Sequence, residues 1–159
     1  MIAPTGNYTL TGADDFKVFP TQYVKVSSFS DFKAAVENNR PVMLVGNVTL
    51  NLNENIDFNN EVVVAAGANV TINLNGKTVA GTLHKSAGHV IKNEGTLTVK
   101  GGTVSSTAEN GGSAIMNAGT LLVEDATLNG AKNAGGSWPS YTVNNTGTMT
   151  VNNTTITSY

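Results

Sequence analysis

The chain has 159 residues, a mass of 16.5 kDa and a net charge of −2, which is the size of one domain. It contains no cysteine and only two histidines, which excludes a disulfide framework and a multi-histidine metal centre, and its charge excludes a basic nucleic-acid binder. Asn, Thr and Gly are abundant and take the place of the usual charged residues, so a helical bundle is excluded as well.

Residues 1–26 are predicted to form an arm that a partner orders. They lack the basic and apolar regions of a secretion signal, and nowhere does the sequence contain the run of about 20 apolar residues that spans a membrane. They are too apolar for a flexible tail and too short for a separate domain. The side chains expected to make the contacts of this arm are Tyr8, Asp14, Asp15, Phe16, Phe19 and Tyr23.

Residues 29–39 are predicted to form a short capping helix. Phe29, Phe32 and Val36 follow helical spacing, and a serine on either side of Phe29 is available as N-cap. Pro41 then ends the helix. An amphipathic helix at this place would cover the open apolar end of a repeat structure.

The rest of the chain repeats. Three segments of equal length, 90–104, 114–128 and 142–156, align without gaps, and shorter matches occur at 48–52 and 70–74. The period of this repeat lies in the twenties, which is typical of a solenoid. The alignment predicts that one column of stacked side chains consists of Val48, Val70, Leu97, Leu121 and Met149.

The alternation inside each repeat predicts strands. Leu97 and Val99 are apolar while Thr96 and Thr98 are polar, which is the period of a half-buried β-strand. Three such apolar stations recur in each repeat, separated by Gly or Asn. We therefore predict an all-β fold in which residues 27–159 form a single parallel β-helix of about five coils, including the capping helix.

One polar position recurs in the repeats, and each time a glycine follows two residues later. In a stack of coils about 4.8 Å apart, identical amides can hydrogen-bond along the axis. We expect a structural turn column rather than a sugar-binding ladder, with the glycines required for their φ angles. The column consists of Asn93, Asn117 and Asn145.

Two stretches depart from the regular repeat. His84, Lys85 and His89 fall in a longer coil, where solvated loop positions are a simpler interpretation than a metal site. Trp138 and Tyr141 fall in the longest coil and are candidate contacts for a glycan or a neighbouring subunit. The alternative for Trp138 is that its ring folds back over a gap in the wall.

The run FSDFKAAVE at 29–37, followed by RPVMLVGNVTL at 40–50, resembles the start of pectin-lyase-like right-handed parallel β-helices. The resemblance covers residues 29–159 and concerns architecture more than catalytic motifs. That family includes pectate lyases, polygalacturonases and the tailspikes and fibres of bacteriophages. A short chain with an N-terminal arm is most similar to the phage branch, which implies that residues 1–26 anchor the protein to a capsid or tail.

Catalytic residues, cofactors and metal ligands are not predicted. The resemblance implies that a pectin-cleaving enzyme needs an arginine base and acidic calcium ligands, but Arg40 is the only arginine and lies at the cap. Glu124 and Asp125 are the one neighbouring acidic pair in the coils, and adjacent strand residues point to opposite faces.

We therefore expect a non-enzymatic structural protein of a bacteriophage virion, as a head or tail fibre, spike or decoration protein, that touches host glycans. Because the repeat at 142–156 lies at the end of the stack, we expect a homotrimer that buries exposed coil surface, without nucleic acid or a membrane span. The alternatives are a polysaccharide-degrading tailspike and a bacterial surface adhesin.

Overall fold

The computed structural model describes residues 21–52, 61–83, 88–106, 112–130 and 141–158. These residues form one helix, α1 (Phe29–Glu37), and fifteen short strands. The strands are β1 (Val24–Val26), β2 (Val42–Leu44), β3 (Val48–Leu52), β4 (Val62–Val64), β5 (Asn69–Asn73), β6 (Thr78–Leu83), β7 (His89–Asn93), β8 (Thr96–Lys100), β9 (Thr103–Ser106), β10 (Ser113–Asn117), β11 (Thr120–Glu124), β12 (Thr127–Asn129), β13 (Val143–Asn145), β14 (Thr148–Asn152) and β15 (Thr155–Thr157).

The strands stack into three parallel sheets. The six-stranded sheet has the order β1-β2-β5-β8-β11-β14, the four-stranded sheet β4-β7-β10-β13, and the five-stranded sheet β3-β6-β9-β12-β15. Each run of three strands from β4 onwards therefore makes one coil, with one strand in each sheet, and β2 and β3 make a partial coil before them. The predicted all-β parallel β-helix with one short helix is confirmed.

The register explains the repeat in the sequence. Leu97 is paired with Leu121, and Leu121 with Met149, which are the positions that the gapless alignment places in one column. On its other side Leu97 is paired with Val70. Parallel strands in this register place like side chains above one another, so the four stacked positions of the predicted column are confirmed.

The prediction that Val48 is the first residue of this column is wrong. Val48 is paired with Val79 in the five-stranded sheet, and the neighbour of β5 in the six-stranded sheet is β2, where Val42 is paired with Ile72. A five-residue pattern of alternating side chains fits a strand in any of the three sheets. Such a short match therefore identified a strand without identifying its sheet.

A narrow apolar core fills the space between the sheets. Side chains at alternate positions point inward from every sheet, and they are almost completely buried from the helix to the coil β10–β12. The largest of the fully buried side chains are Phe32, Leu44, Leu50, Ile72, Leu74, Ile91, Leu97, Ile115, Leu121 and Leu128.

The glycines that follow the Asn column are required because the coils stack closely there. The prediction that they are needed for their φ angles is wrong. A Cβ on Gly119 would lie 2.0 Å from the carbonyl oxygen of Gly95, and one on Gly147 would lie 2.1 Å from that of Gly119. The described glycines with positive φ are Gly67, Gly76 and Gly101, which lie in other turns.

Ser28 caps the N-terminus of helix α1, and its Oγ accepts a hydrogen bond from the backbone N–H of Asp31 at 3.2 Å. This satisfies one of the free N–H groups of the first turn. Phe32 and Val36 are buried in the core, so the helix covers the N-terminal end of the apolar interior as predicted. The helix ends at Glu37, within the predicted range.

Two side chains of α1 bind the exposed edge of β4. Lys33 Nζ donates to the carbonyl oxygen of Glu61, and Glu37 Oε1 accepts from the N–H of Val63 at 3.3 Å. Nearby, Asn39 Oδ1 accepts from the N–H of Asn69 at 2.8 Å. Edge groups that would otherwise offer a template for strand addition are thus satisfied by side chains.

Strand β1 lies inside the segment 1–26. It is parallel to β2, with Val24 paired with Val42 and Val26 with Leu44, and so extends the six-stranded sheet past the helix. The end of the segment predicted as an arm is therefore part of the solenoid wall.

Candidate functional site

The longest connections between strands from β3 onwards all lead into the same corner. The segments 53–60, 84–87, 107–111 and 131–140 lie outside the described residues, and each joins a strand of the five-stranded sheet to the following strand of the four-stranded sheet. The other connections within the last three coils are short turns. The variation in coil length thus arises at one edge of the stack, which we call the entry corner.

The described residues of the entry corner form a column. His89 is paired with Ser113 in the register of β7 and β10, and Tyr141 has the equivalent place two residues before Val143. The corner therefore presents an imidazole, a hydroxyl and a phenol in successive coils. Loops that vary on a rigid scaffold are the usual place for binding residues.

Hydrogen bonds connect three coils at this corner. His89 Nδ1 lies 2.6 Å from Ser113 Oγ, and the backbone N–H of His89 donates to Glu61 Oε1 at 3.0 Å. Glu61 and Ser113 are buried, while His89 is half-buried. Each buried polar group thus has a partner, as the interior of a protein requires.

The arrangement differs from a catalytic triad. Glu61 binds the backbone of His89 and not its imidazole, so it does not orient the ring for proton transfer. Ser113 is 1 % exposed, which keeps its hydroxyl away from a substrate. The group serves to tie the coils together.

Burial lowers the pKa of His89 below its ordinary value. The carboxylate of Glu61 opposes this shift, and the cation of Lys92 adds to it. Lys92 itself is paired with Glu94 at 2.8 Å, and that hydrogen bond raises the pKa of the lysine. Burial therefore favours the neutral form of His89 in the corner.

His89 is the first residue of β7, which corrects the expectation that it lies in a loop. His84 and Lys85 lie outside the described residues. In the described ranges, no group of three His, Cys, Asp or Glu side chains is placed to hold a metal ion.

The Asn column lies at the opposite end of the four-stranded sheet. Asn93 Nδ2 donates to Asn117 Oδ1 at 2.7 Å, and Asn117 Nδ2 donates to Asn145 Oδ1 at 2.6 Å. Asn93 and Asn117 also donate to the carbonyl oxygens of Thr120 and Thr148 in the following coil. Because the first two amides are fully buried, a sugar has no access to them.

The predicted contact residues fall in different places. Tyr141 is 49 % exposed at the entry corner, and Tyr23 lies just before β1, with its ring centre 6.0 Å from Lys100 Nζ. The remaining predicted contact residues, Tyr8, Asp14, Asp15, Phe16, Phe19 and Trp138, lie outside the described residues.

The acidic pair Glu124–Asp125 lies at the C-terminal end of β11. Glu124 is the last residue of β11, and Asp125 follows in the left-handed region with φ of 49°. Asp125 Oδ1 accepts a hydrogen bond from Asn153 Nδ2 at 2.6 Å. This carboxylate therefore holds a turn between neighbouring coils.

Sequence reasoning missed Glu61 and Ser113. The signal for Ser113 was present, because extending the gapless alignment upstream by one residue places it in line with His89 and Tyr141. Glu61 had no signal of this kind, since it lies outside the aligned repeats.

No protein-family model matches the chain, and no curated protein or solved structure is similar to it. The only helix of the described ranges is nine residues long, too short to cross a bilayer. The described architecture is thus established by the register of the strands alone.

Proposed function

We propose that this chain is a structural protein of a bacteriophage virion, a head or tail fibre, spike or decoration protein, whose stack of coils acts as a rigid element. The observation that carries the proposal is the continuous in-register stack from β1 to β14. Six strands spaced about 4.8 Å apart extend roughly 24 Å, and their hydrogen bonds run along the stacking axis. A force that pulls along that axis must break several backbone ladders together. The same ladders must open before a protease can bind the chain in an extended form.

The buried Asn column supports a mechanical role as well. Each rung adds side-chain hydrogen bonds between coils, and the bond from Asn93 to Asn117 is strong because water is excluded from it. Ser113 at the entry corner and Asp125 in the turn between β11 and β12 use their polar groups to bind neighbouring coils instead of projecting them into a cleft. A protein that uses its polar chemistry for stacking is suited to presentation rather than turnover.

In this proposal residues 1–26 anchor the protein to a capsid or tail protein, and the coils assemble as a homotrimer. The test is mass spectrometry and antibody labelling of virions purified on a density gradient. We expect the chain at a fixed copy number per particle, and its loss after deletion of residues 1–20. Recovery only in fractions that contain no particles would contradict the proposal.

A contact with host glycans is the second part of the proposal. Tyr141 is the observation that favours it, because this phenol is about half exposed at the entry corner, where the longest connections between strands meet. Aromatic rings stack on the apolar faces of sugars. We expect Tyr141→Ala to reduce retention on a glycan array, whereas the matched Tyr23→Ala leaves it unchanged. Equal retention of both variants and the wild type would count against this contact.

A further inference from the structure

A groove with a volume of about 590 Å³ lies between β1 and one face of α1. Its apolar lining comes from Val24 and Val26 on the strand and from Ala34 and Ala35 on the helix. Charges of both signs surround this lining, so charge alone does not select what binds in the groove. The charged lining residues are Lys25, Asp31 and Arg40. An apolar face of matching length is therefore what an occupant needs.

One wall of the groove is a strand with a free edge. The N–H of Val24 donates to the carbonyl oxygen of Pro41, and the N–H of Val45 donates to that of Val26, both at 2.8 Å. In a parallel pair, alternate residues direct both backbone groups towards the same neighbouring strand. The N–H and C=O of Lys25 therefore face away from β2, and no strand of the described residues is paired with β1 on that side.

An occupant that satisfies this edge has to be an extended segment. Its backbone would pair with the N–H and C=O of Lys25, as in β-strand addition, and its side chains would lie over the groove at alternate positions. A second solenoid stacked on this end would meet α1, whose Lys33 and Glu37 bind the edge of β4. The groove thus takes one strand and not a whole coil.

The residues that precede β1 contain a segment with the required pattern. Residues 13–19 read ADDFKVF, in which Phe16 and Val18 alternate with charged residues. Such alternation is typical of a strand with one apolar face. These residues lie outside the described ranges, which begin at Thr21.

One antiparallel register brings the two apolar faces together. Val18 would lie opposite Val24 and Phe16 opposite Val26, which are the residues by which β1 faces the groove. The connection 19–23 then joins the two strands, and hairpin connections usually have about two to five residues. A slip by one residue would turn a lysine towards the groove, so the pattern allows little freedom.

We propose that residues 13–19 fold back on their own chain and pair with β1 as an antiparallel strand. The short connection favours the chain's own segment over that of another molecule, because a tether of a few residues holds it at an effective concentration of roughly millimolar. The inference goes beyond the proposed function, since it holds whether or not the protein is part of a virion. It leaves residues 1–12 as the part of the arm that can bind a partner.

The register also places two like charges side by side. Lys17 would lie opposite Lys25 and exchange both backbone hydrogen bonds with it. Both side chains would point to solvent, and Asp15, two residues along the same face, would lie in diagonal reach of Lys25. The lysine pair therefore weakens the added strand without preventing it, and it provides a mark of the register.

Hydrogen exchange of the Lys25 amide tests the pairing in the isolated full-length chain. Because this N–H faces away from β2, its protection from exchange requires an added strand. We expect it to exchange about tenfold more slowly in the wild type than in Phe16→Asn/Val18→Asn. The Val24 amide, which is bonded to Pro41, is the internal reference. The matched variant Asp15→Asn/Lys17→Asn changes the outward face and should keep the protection.

Two results of this measurement would overturn the proposal. One is a Lys25 amide that exchanges equally fast in the wild type and in Phe16→Asn/Val18→Asn. The other is protection that decreases on dilution, because pairing with a strand of the same chain does not depend on protein concentration, whereas pairing with a second copy does.

Disulfide formation gives an independent test, because the chain has no cysteine of its own. Val18→Cys/Ala34→Cys should close to a disulfide-linked monomer several-fold faster than Lys17→Cys/Ala34→Cys. The two variants have nearly the same tether length, but neighbouring residues of a strand point to opposite faces. Equal rates, or a disulfide-linked dimer as the main product, would contradict the proposal.

Charge substitution tests the register. Lys17→Glu replaces a like-charge pair across the strands with an opposite one, so exchange of the Lys25 amide should become about twofold slower than in the wild type. Lys17→Gln, which only removes the charge, should lie between the two. Exchange that is unchanged or faster in Lys17→Glu would show that Lys17 is not opposite Lys25 and would overturn the proposed pairing.

Discussion

The last coil, β13–β15, repeats the side-chain pattern of the coil β10–β12, yet the two have opposite surroundings. Leu128 is fully buried, whereas Ile156, its register partner, is 46 % exposed. Val123 and its partner Val151 differ in the same way. The comparison teaches that the contribution of a residue to stability depends on whether neighbouring coils bury its side chain from both sides.

The largest difference between the two coils should come from glycine. Gly119→Ala places a Cβ against the Gly95 carbonyl in the interior of the stack, and we expect a loss of about 3 kcal/mol in the free energy of unfolding. Gly147→Ala makes a similar clash, but the last coil can shift outward, so its loss should be about 1 kcal/mol. Urea unfolding of both variants measures the difference, and equal losses would contradict this account.

Core truncation should sharpen the comparison. Leu128→Ala removes a fully buried side chain and leaves a cavity, for which we expect a loss of about 3 kcal/mol. Ile156→Ala removes a side chain that is already half in water, and its loss should be about 1 kcal/mol. Thermal unfolding of the two variants provides the measurement. If Ile156→Ala is as destabilising as Leu128→Ala, the side chain of Ile156 is covered in solution.

The Asn column allows the same test with polar groups. Asn117→Ala removes bonds to Asn145 and to the Thr148 carbonyl and leaves the buried Asn93 amide without one acceptor, so a loss of about 2 kcal/mol is expected. Asn145→Ala lies at an exposed rung, and its effect should stay below about 1 kcal/mol. Chemical denaturation separates them, and the reverse order would show that the ladder does not contribute in this way.

The smallest effect should be the pH dependence at the entry corner. Because burial lowers the pKa of His89, the folded chain binds this proton less readily than the unfolded chain. Stability is then complete above the unfolded pKa of about 6.5 and decreases as pH falls through that value towards the lower folded pKa. His89→Gln should flatten the stability profile between pH 7 and pH 5 relative to the wild type, by about the contribution of a single proton. A variant profile as steep as that of the wild type would assign the dependence to other groups.

Much of the fold was predictable because stacking forces like residues into columns. The gapless alignment of the three repeats agrees with the strand pairs from Leu97 to Met149, and the apolar helical face predicted the cap. Val48 was misassigned because alternation alone does not distinguish one sheet from another. Strand β1 was missed because three residues are too few to show a period.

The candidate site was less predictable than the fold. His89 and Tyr141 were candidates by residue type, but their alignment with Ser113 in one column depends on the register of separate coils. Glu61 binds the backbone N–H of His89, for which any acceptor of the right reach would serve. Contacts of this kind leave no pattern along the chain.

The sequence by itself determined that this protein is a stack of parallel strands, because period-two alternation repeated every two dozen residues has one economical way to bury its apolar side chains. Only the tertiary structure decided that the longest connections between strands meet at one corner, that glycines are required by neighbouring carbonyls, and that β1 keeps a free edge beside α1. The physical reason is that these features depend on distances between coils, whereas the repeat depends only on the order of residues within each one.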